Sequence, residues 1–181
     1  MLLDTPEAEL GWKAAPITLR DPSGHAFTLD CLKGENGTLV AFICNHCPYV
    51  QAIVDRFVAD ANVLQSEDIN VVAISSNDYR YVPADSPPMM AKFAERHQFS
   101  FPYLVDEDQS VGRTYGAVCT PDFFGFNADG ELQYRGRLDD ARMGNPANRK
   151  TELLDAMRQI AKTGVGPDEQ TPSIGCSIKW R

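Results

Sequence analysis

Leu39-Val40-Ala41-Phe42-Ile43-Cys44-Asn45-His46-Cys47-Pro48 is the stretch that decides the fold. Thr38 to Ile43 reads as a strand buried on both faces, because it is apolar without alternation. Two cysteines spaced Cys-x-x-Cys follow at once. After them Val50, Ile53, Val54, Phe57, Val58, Ala61 and Leu64 recur at helical spacing, which predicts one helix to about residue 64. Pro48 suits a first helical turn, where its missing N–H is no loss. The order is strand, tight junction, two thiols, helix. Cys44 is expected at or just before the helix N-terminus, where unpaired N–H groups and the helix dipole favour a thiolate.

The surrounding chain fits a soluble α/β protein. Its 181 residues are enough for a substantial core, with 43% hydrophobic and 23% charged residues. A net charge of -8 argues against nucleic acid and anionic membrane as partners, since both need a basic surface. No apolar run approaches the ~20 residues of a membrane span. The first residues lack a basic-then-apolar leader, so the expected location is the cytoplasm. Five cysteines are an odd number in a long chain. That pattern favours redox or metal chemistry over a disulfide scaffold.

Outward from the cysteines, the elements alternate. Residues 1–16 read as an irregular lead-in with Trp12 as an anchor. Ile17–Leu19 and Ala26–Leu29 flank the turn Asp21-Pro22-Ser23-Gly24 and read as a hairpin. Ile69–Ser75 is a second buried strand. Ser86-Pro87 announces a helix carrying Met90, Phe93 and His97. Phe101–Val105 is a third strand and Val111–Tyr115 a short helix. Phe123–Phe126 and Leu132–Arg135 flank an Asp-Gly turn and form a late hairpin. Arg149–Lys162 is a last amphipathic helix, stopped by Gly164. Residues 163–181 are left as a tail. One domain over 1–181 is expected, with its core in 17–162. The pattern predicts a central mixed sheet flanked by helices.

A Cys-x-x-Cys pair between a buried strand and a helix resembles the thioredoxin fold. Tyr115-Gly116-Ala117-Val118-Cys119-Thr120-Pro121 is similar to the family segment whose Thr-Pro precedes the hairpin. The N-terminal hairpin and the β-α insertion resemble the redoxin subgroup, which holds peroxiredoxins and thiol–disulfide reductases. The resemblance implies a cis Thr120–Pro121 bond against the two cysteines, and a pre-proline segment, 118–120, that pairs with a bound substrate strand. It implies a thiol–disulfide oxidoreductase in which Cys44 is the exposed attacking thiolate, Cys47 resolves, and Pro121 shapes the groove. Asn45, Cys119 and Thr120 become substrate-binding candidates.

His46 is similar in place to the histidine in the Cys-Pro-His-Cys motif of bacterial disulfide oxidants. It is expected to donate a hydrogen bond or positive charge to the Cys44 thiolate. The buried acid that thioredoxins carry six residues before the first cysteine is Thr38 here, which leaves the proton acceptor for Cys47 open. Laid onto the peroxiredoxin pattern Pro-x-x-x-Thr-x-x-Cys, the chain keeps only Cys47-Pro48. Val40 and Cys44 stand at the other two positions, and Arg135, Arg137 and Arg142 are the candidates for an assisting arginine, with surface solvation as their bland role. Two alternatives therefore accompany disulfide exchange: a thiol peroxidase, and a metal-binding or interaction module using Cys44, Cys47 and Cys119. No prosthetic group is implied. The expected partners are protein or small-molecule disulfides and thiols, with a thioredoxin or glutathione system as reductant. Cys176 is either an inert tail residue or a thiol that reaches the site, and Cys31 is structural.

Overall fold

The computed structural model describes residues 1–181. In chain order the elements are β1 (Leu2–Asp4), β2 (Thr18–Arg20), β3 (Ala26–Thr28), α1 (Leu29–Leu32), β4 (Gly37–Phe42), α2 (Pro48–Gln51), α3 (Val54–Ser66), β5 (Ile69–Ser75), α4 (Pro87–Arg96), β6 (Tyr103–Val105), α5 (Ser110–Tyr115), β7 (Cys119–Thr120), β8 (Asp122–Phe126), β9 (Leu132–Gly136), α6 (Glu152–Thr163) and β10 (Ile174–Ser177). No helix is long and apolar enough to cross a membrane.

Seven strands form a mixed sheet in the order β3-β2-β6-β5-β4-β8-β9. β4 lies parallel to β5 and antiparallel to β8. Its side chains alternate between two cores. Leu39, Ala41 and Ile43 face the layer holding Phe57, Phe93 and Met157, while Val40 and Phe42 face Tyr115, Phe124 and Ile178. A strand covered on both faces has no polar side, which is why its sequence is apolar throughout. The expected hairpins are present as β2–β3 and β8–β9. Trp12 packs edge-on against Tyr115, with ring centroids 5.2 Å apart.

Three expectations need correction. The helix after the cysteines is two helices, broken at Ala52–Ile53. The lead-in and tail are not irregular: β1 and β10 pair with each other, and β10 pairs with β7 to make a second, three-stranded sheet. The last helix starts at Glu152, three residues later than its periodicity suggested, because Arg149 turns away to bind Asp60 at 2.6 Å and Asp139 at 3.2 Å.

Arg135 is also not a surface residue. It is buried, forks onto Asp122 at 3.2 and 2.7 Å, and stacks 4.4 Å over Phe124. Asp122 directly follows Pro121, so this pair pins the start of β8 beside the cysteines. Removing one member of a buried pair strands the other charge. Arg135→Ala is therefore expected to lower stability by about 3–5 kcal/mol in urea unfolding. Arg158→Ala, which breaks a half-exposed pair with Glu67, is expected to leave the unfolding midpoint nearly unchanged.

Candidate active site

The junction after β4 turns sharply enough that Cys47, not Cys44, caps the next helix. Cys47 is the N-cap of α2 and Pro48 its first residue. Cys44 lies one tight turn earlier. Both thiols are buried, at 1% and 0% exposure, so the expected exposed Cys44 is not found. Thr120 lies across the pair. Its Oγ1 is 3.3 Å from the Cys44 sulfur, and its carbonyl lies 3.3 Å from the Cys47 sulfur, from which it accepts a hydrogen bond when that sulfur is protonated. The Thr120–Pro121 bond is cis.

The charge division is the reverse of the expected one. The Cys47 thiol is lowered to about 4, first by the hydrogen bond from Cys44, then by the Thr120 hydroxyl and the backbone N–H of Cys176, against the opposing effect of burial. Cys44 is pushed well up, by that same shared hydrogen bond, by burial and by the nearby Asp85 charge. One proton held between two sulfurs favours a single thiolate, and the hydrogen bonds converging on Cys47 favour that sulfur for it.

Asp85 is the residue that sequence reasoning missed. It sits in a 3-10 turn, Pro83–Asp85, at 1% exposure. Its carboxylate accepts from the backbone N–H of Asn45 (2.8 Å) and His46 (3.2 Å), from Asn77 Nδ2 (2.9 Å), and pairs with His46 Nδ1 at 2.6 Å. It thus ties down the loop between the cysteines from 40 residues away, and no local pattern around Pro83 announces it. His46 spends that ring nitrogen on Asp85 rather than on a thiolate. The Asn45 amide is already hydrogen-bonded within the chain. It is buried, donates to the Ala84 carbonyl at 2.9 Å and accepts from Tyr103 Oη at 2.9 Å.

Cys119 is fully buried and its thiol is pushed up to about 12 by that burial. The donor atoms that lie within 4.8 Å of one another belong to Cys44, His46 and Asp85, not to Cys44, Cys47 and Cys119. Those Asp85 oxygens are already engaged in ordering the loop. Arg135 and Arg137 are committed to Asp122 and Glu152. A cleft of about 480 Å³ opens on the other side of His46, lined also by Asn45, Gln51, Lys92 and Arg96. β10 pairs along one edge of 118–120, with Cys176 opposite Thr120 and Ser177 opposite Cys119, and β7 is the last strand of that sheet.

The AhpC/TSA family profile matches residues 10–135, more than two thirds of the chain. The chain belongs to the AhpC/TSA family. An uncharacterised conserved protein of Geobacillus kaustophilus is 40% identical, with a TM-score of 0.93 over 100% of this chain and 97% of that one. The curated thiol-disulfide oxidoreductase ResA of Halalkalibacterium halodurans is 22% identical over 69% of this chain, and the match spans 66% of that relative's length. The thioredoxin domain of a Bacteroides vulgatus thiol-disulfide oxidoreductase is 16% identical with a TM-score of 0.66, covering 86% of this chain and 99% of that one. The fold of this redoxin is thioredoxin-like.

A depressed thiol has a stability consequence with a definite sign. Between about pH 4 and the ~8.5 of a free thiol, the unfolded chain holds a proton that folded Cys47 does not. The contribution is full above ~8.5 and is lost as pH falls toward about 4. The stability gap between the reduced wild type and Cys47→Ser is expected to widen with rising pH across that window, measured by urea unfolding under reductant. A pH-independent gap would show that Cys47 is not the thiolate.

Proposed function

We propose that this redoxin is a thiol–disulfide oxidoreductase whose working couple is Cys44 and Cys47. The observation that carries the reading is the pair itself: two thiols sharing one proton under Thr120, with the thiolate on the helix cap. A thiolate is the nucleophile in disulfide exchange, and a second thiol in contact completes the exchange by closing an internal disulfide. In the balanced reaction the thiol–thiolate pair gives two electrons and its one proton to an external disulfide, which takes a second proton from solvent and leaves as two thiols. The chain is left with a Cys44–Cys47 bond.

The roles are Cys47 as the stabilised thiolate and Cys44 as the protonated partner. Thr120 and Pro121 hold the pair from the far side, and Asp85 and His46 fix the loop. The site lacks the proline and threonine of the peroxiredoxin pattern, which are Val40 and Cys44 here, and two of the three candidate arginines, Arg135 and Arg137, are engaged by carboxylates. That favours disulfides over peroxides as substrates. A thioredoxin or glutathione system is the proposed reductant. A reducing compartment, the cytoplasm, fits buried thiols that work in the dithiol form.

The test is a titration of the reduced protein with oxidised glutathione, followed by peptide mapping and by turnover with a model disulfide. One equivalent is expected to form the Cys44–Cys47 bond. Cys44→Ser and Cys47→Ser are each expected to lose turnover by at least about a hundredfold, since neither can close that bond. Full turnover in either variant would remove that residue from the couple. Peroxide consumption outpacing disulfide exchange would move the assignment to a thiol peroxidase, and stoichiometric metal after purification would favour a metal-binding module.

A further inference from the structure

The working pair is buried, and that raises the question of how an external disulfide reaches it. Cys44 and Cys47 have 1% and 0% exposure, and their surroundings are packed core. A bulky disulfide cannot contact either sulfur in this arrangement, and exchange requires direct attack of one sulfur on another.

The tail supplies a third thiol at this point. β10 packs against α2, the short helix capped by Cys47. In its pairing with β7, Cys176 stands directly opposite Thr120, the residue that touches the sulfurs of both Cys44 and Cys47. Directly opposed residues in an antiparallel pair project to the same face. Cys176 accordingly packs against the core cluster that holds Cys44 and Cys47. Unlike the pair, it is only partly buried. The preceding residue makes this approach feasible: a Cβ at Gly175 would lie 1.8 Å from the Thr120 carbonyl oxygen, so only glycine lets the strand come so close. Asn77 Oδ1 accepts from the Lys179 N–H at 2.8 Å, and Gln109 Nε2 donates to the Lys179 carbonyl at 2.8 Å, which hold the end of the strand in place.

We propose that Cys176 is a third redox thiol that carries disulfide exchange between solvent and the buried Cys44/Cys47 pair. This inference rests on the exchange reading above and assigns its entry point. In the forward direction Cys176, whose thiol is held above its ordinary value by burial and by the neighbouring Cys47, gives its proton to solvent, and the thiolate so formed attacks an external disulfide R–S–S–R′. It forms Cys176–S–S–R and releases R′S⁻. The Cys47 thiolate then attacks the Cys176 sulfur, expels RS⁻ and forms Cys47–Cys176. Cys44 finally attacks the Cys47 sulfur, forms Cys44–Cys47 and returns Cys176 as a thiolate. The two released thiolates take up the one proton that Cys44 loses and one from solvent, and Cys176 regains its own. The external disulfide is the only oxidant, and Cys176 ends as it began.

The test uses the full chain. Reduced Cys44→Ser is treated with one equivalent of oxidised glutathione and mapped by proteolysis and mass spectrometry. Without Cys44 the sequence should stop one step early, and a Cys47–Cys176 bond is expected as the main product. Cys176→Ser preserves the strand and its hydrogen bonds but removes the relay. It is expected to exchange with the model disulfide at least about tenfold more slowly than wild type, because the pair stays buried. Glutathione attached to Cys47 with Cys176 free, a Cys47–Cys119 bond, or wild-type exchange rates in Cys176→Ser would each overturn the relay. If wild type does form Cys44–Cys47 while any of these is seen, the relay falls and the exchange reading stands. A wild type that never forms Cys44–Cys47 overturns both.

Discussion

Thr120 touches the sulfurs of both Cys44 and Cys47, and the rest of the structure is arranged so that it can. Three separate pieces of chain must converge for that contact. β4 delivers Cys44 at the end of a strand buried on both faces. The α2 cap delivers Cys47. β8, anchored by the buried Asp122–Arg135 pair, holds Thr120 from the opposite side. None of the three has much freedom to shift, because each is packed into a core or held by a bidentate ion pair.

The electrostatics follow from that packing. A buried thiolate is tolerated only if hydrogen bonds replace the water it has lost. Cys47 obtains these from Cys44, Thr120 and the strand carrying Cys176. Asp85 adds a negative charge on the Cys44 side, which discourages a second thiolate there and leaves the charge on Cys47. The same carboxylate satisfies two backbone N–H groups of the connecting loop, so one residue both shapes the loop and sets the charge division.

The central sheet was legible in the sequence because both-face burial leaves an apolar run that needs no alignment to see. Leu39–Ile43 and Ile69–Ser75 are such runs, and the turns at Asp21–Gly24 and Asn127–Gly130 carry their own chemistry. The break at Ala52–Ile53 was not legible, since the apolar spacing continues across it. β1 and β10 were missed for a different reason. Each is a short strand with a single pairing partner or two, stabilised by residues far away in the chain, so neither carries a local period. The two thiols were found by spacing, but the division of roles between them was not. It depends on the hydrogen bonds converging on Cys47 and on Asp85, both of which are tertiary facts. The Gly175-Cys176 dipeptide looked like an ordinary tail until its strand was seen lying along Thr120.

The most direct test of this account is the reduction potential of the Cys44–Cys47 couple, set against glutathione at neutral pH. A thiolate held at about 4 stabilises the reduced state, and each ~1.4 kcal/mol of such stabilisation raises a two-electron potential by roughly 30 mV. The account predicts a potential tens of millivolts less negative than the roughly -270 mV of thioredoxin. A value at or below that figure would contradict it, because the hydrogen bonds converging on Cys47 would then give the reduced state no advantage.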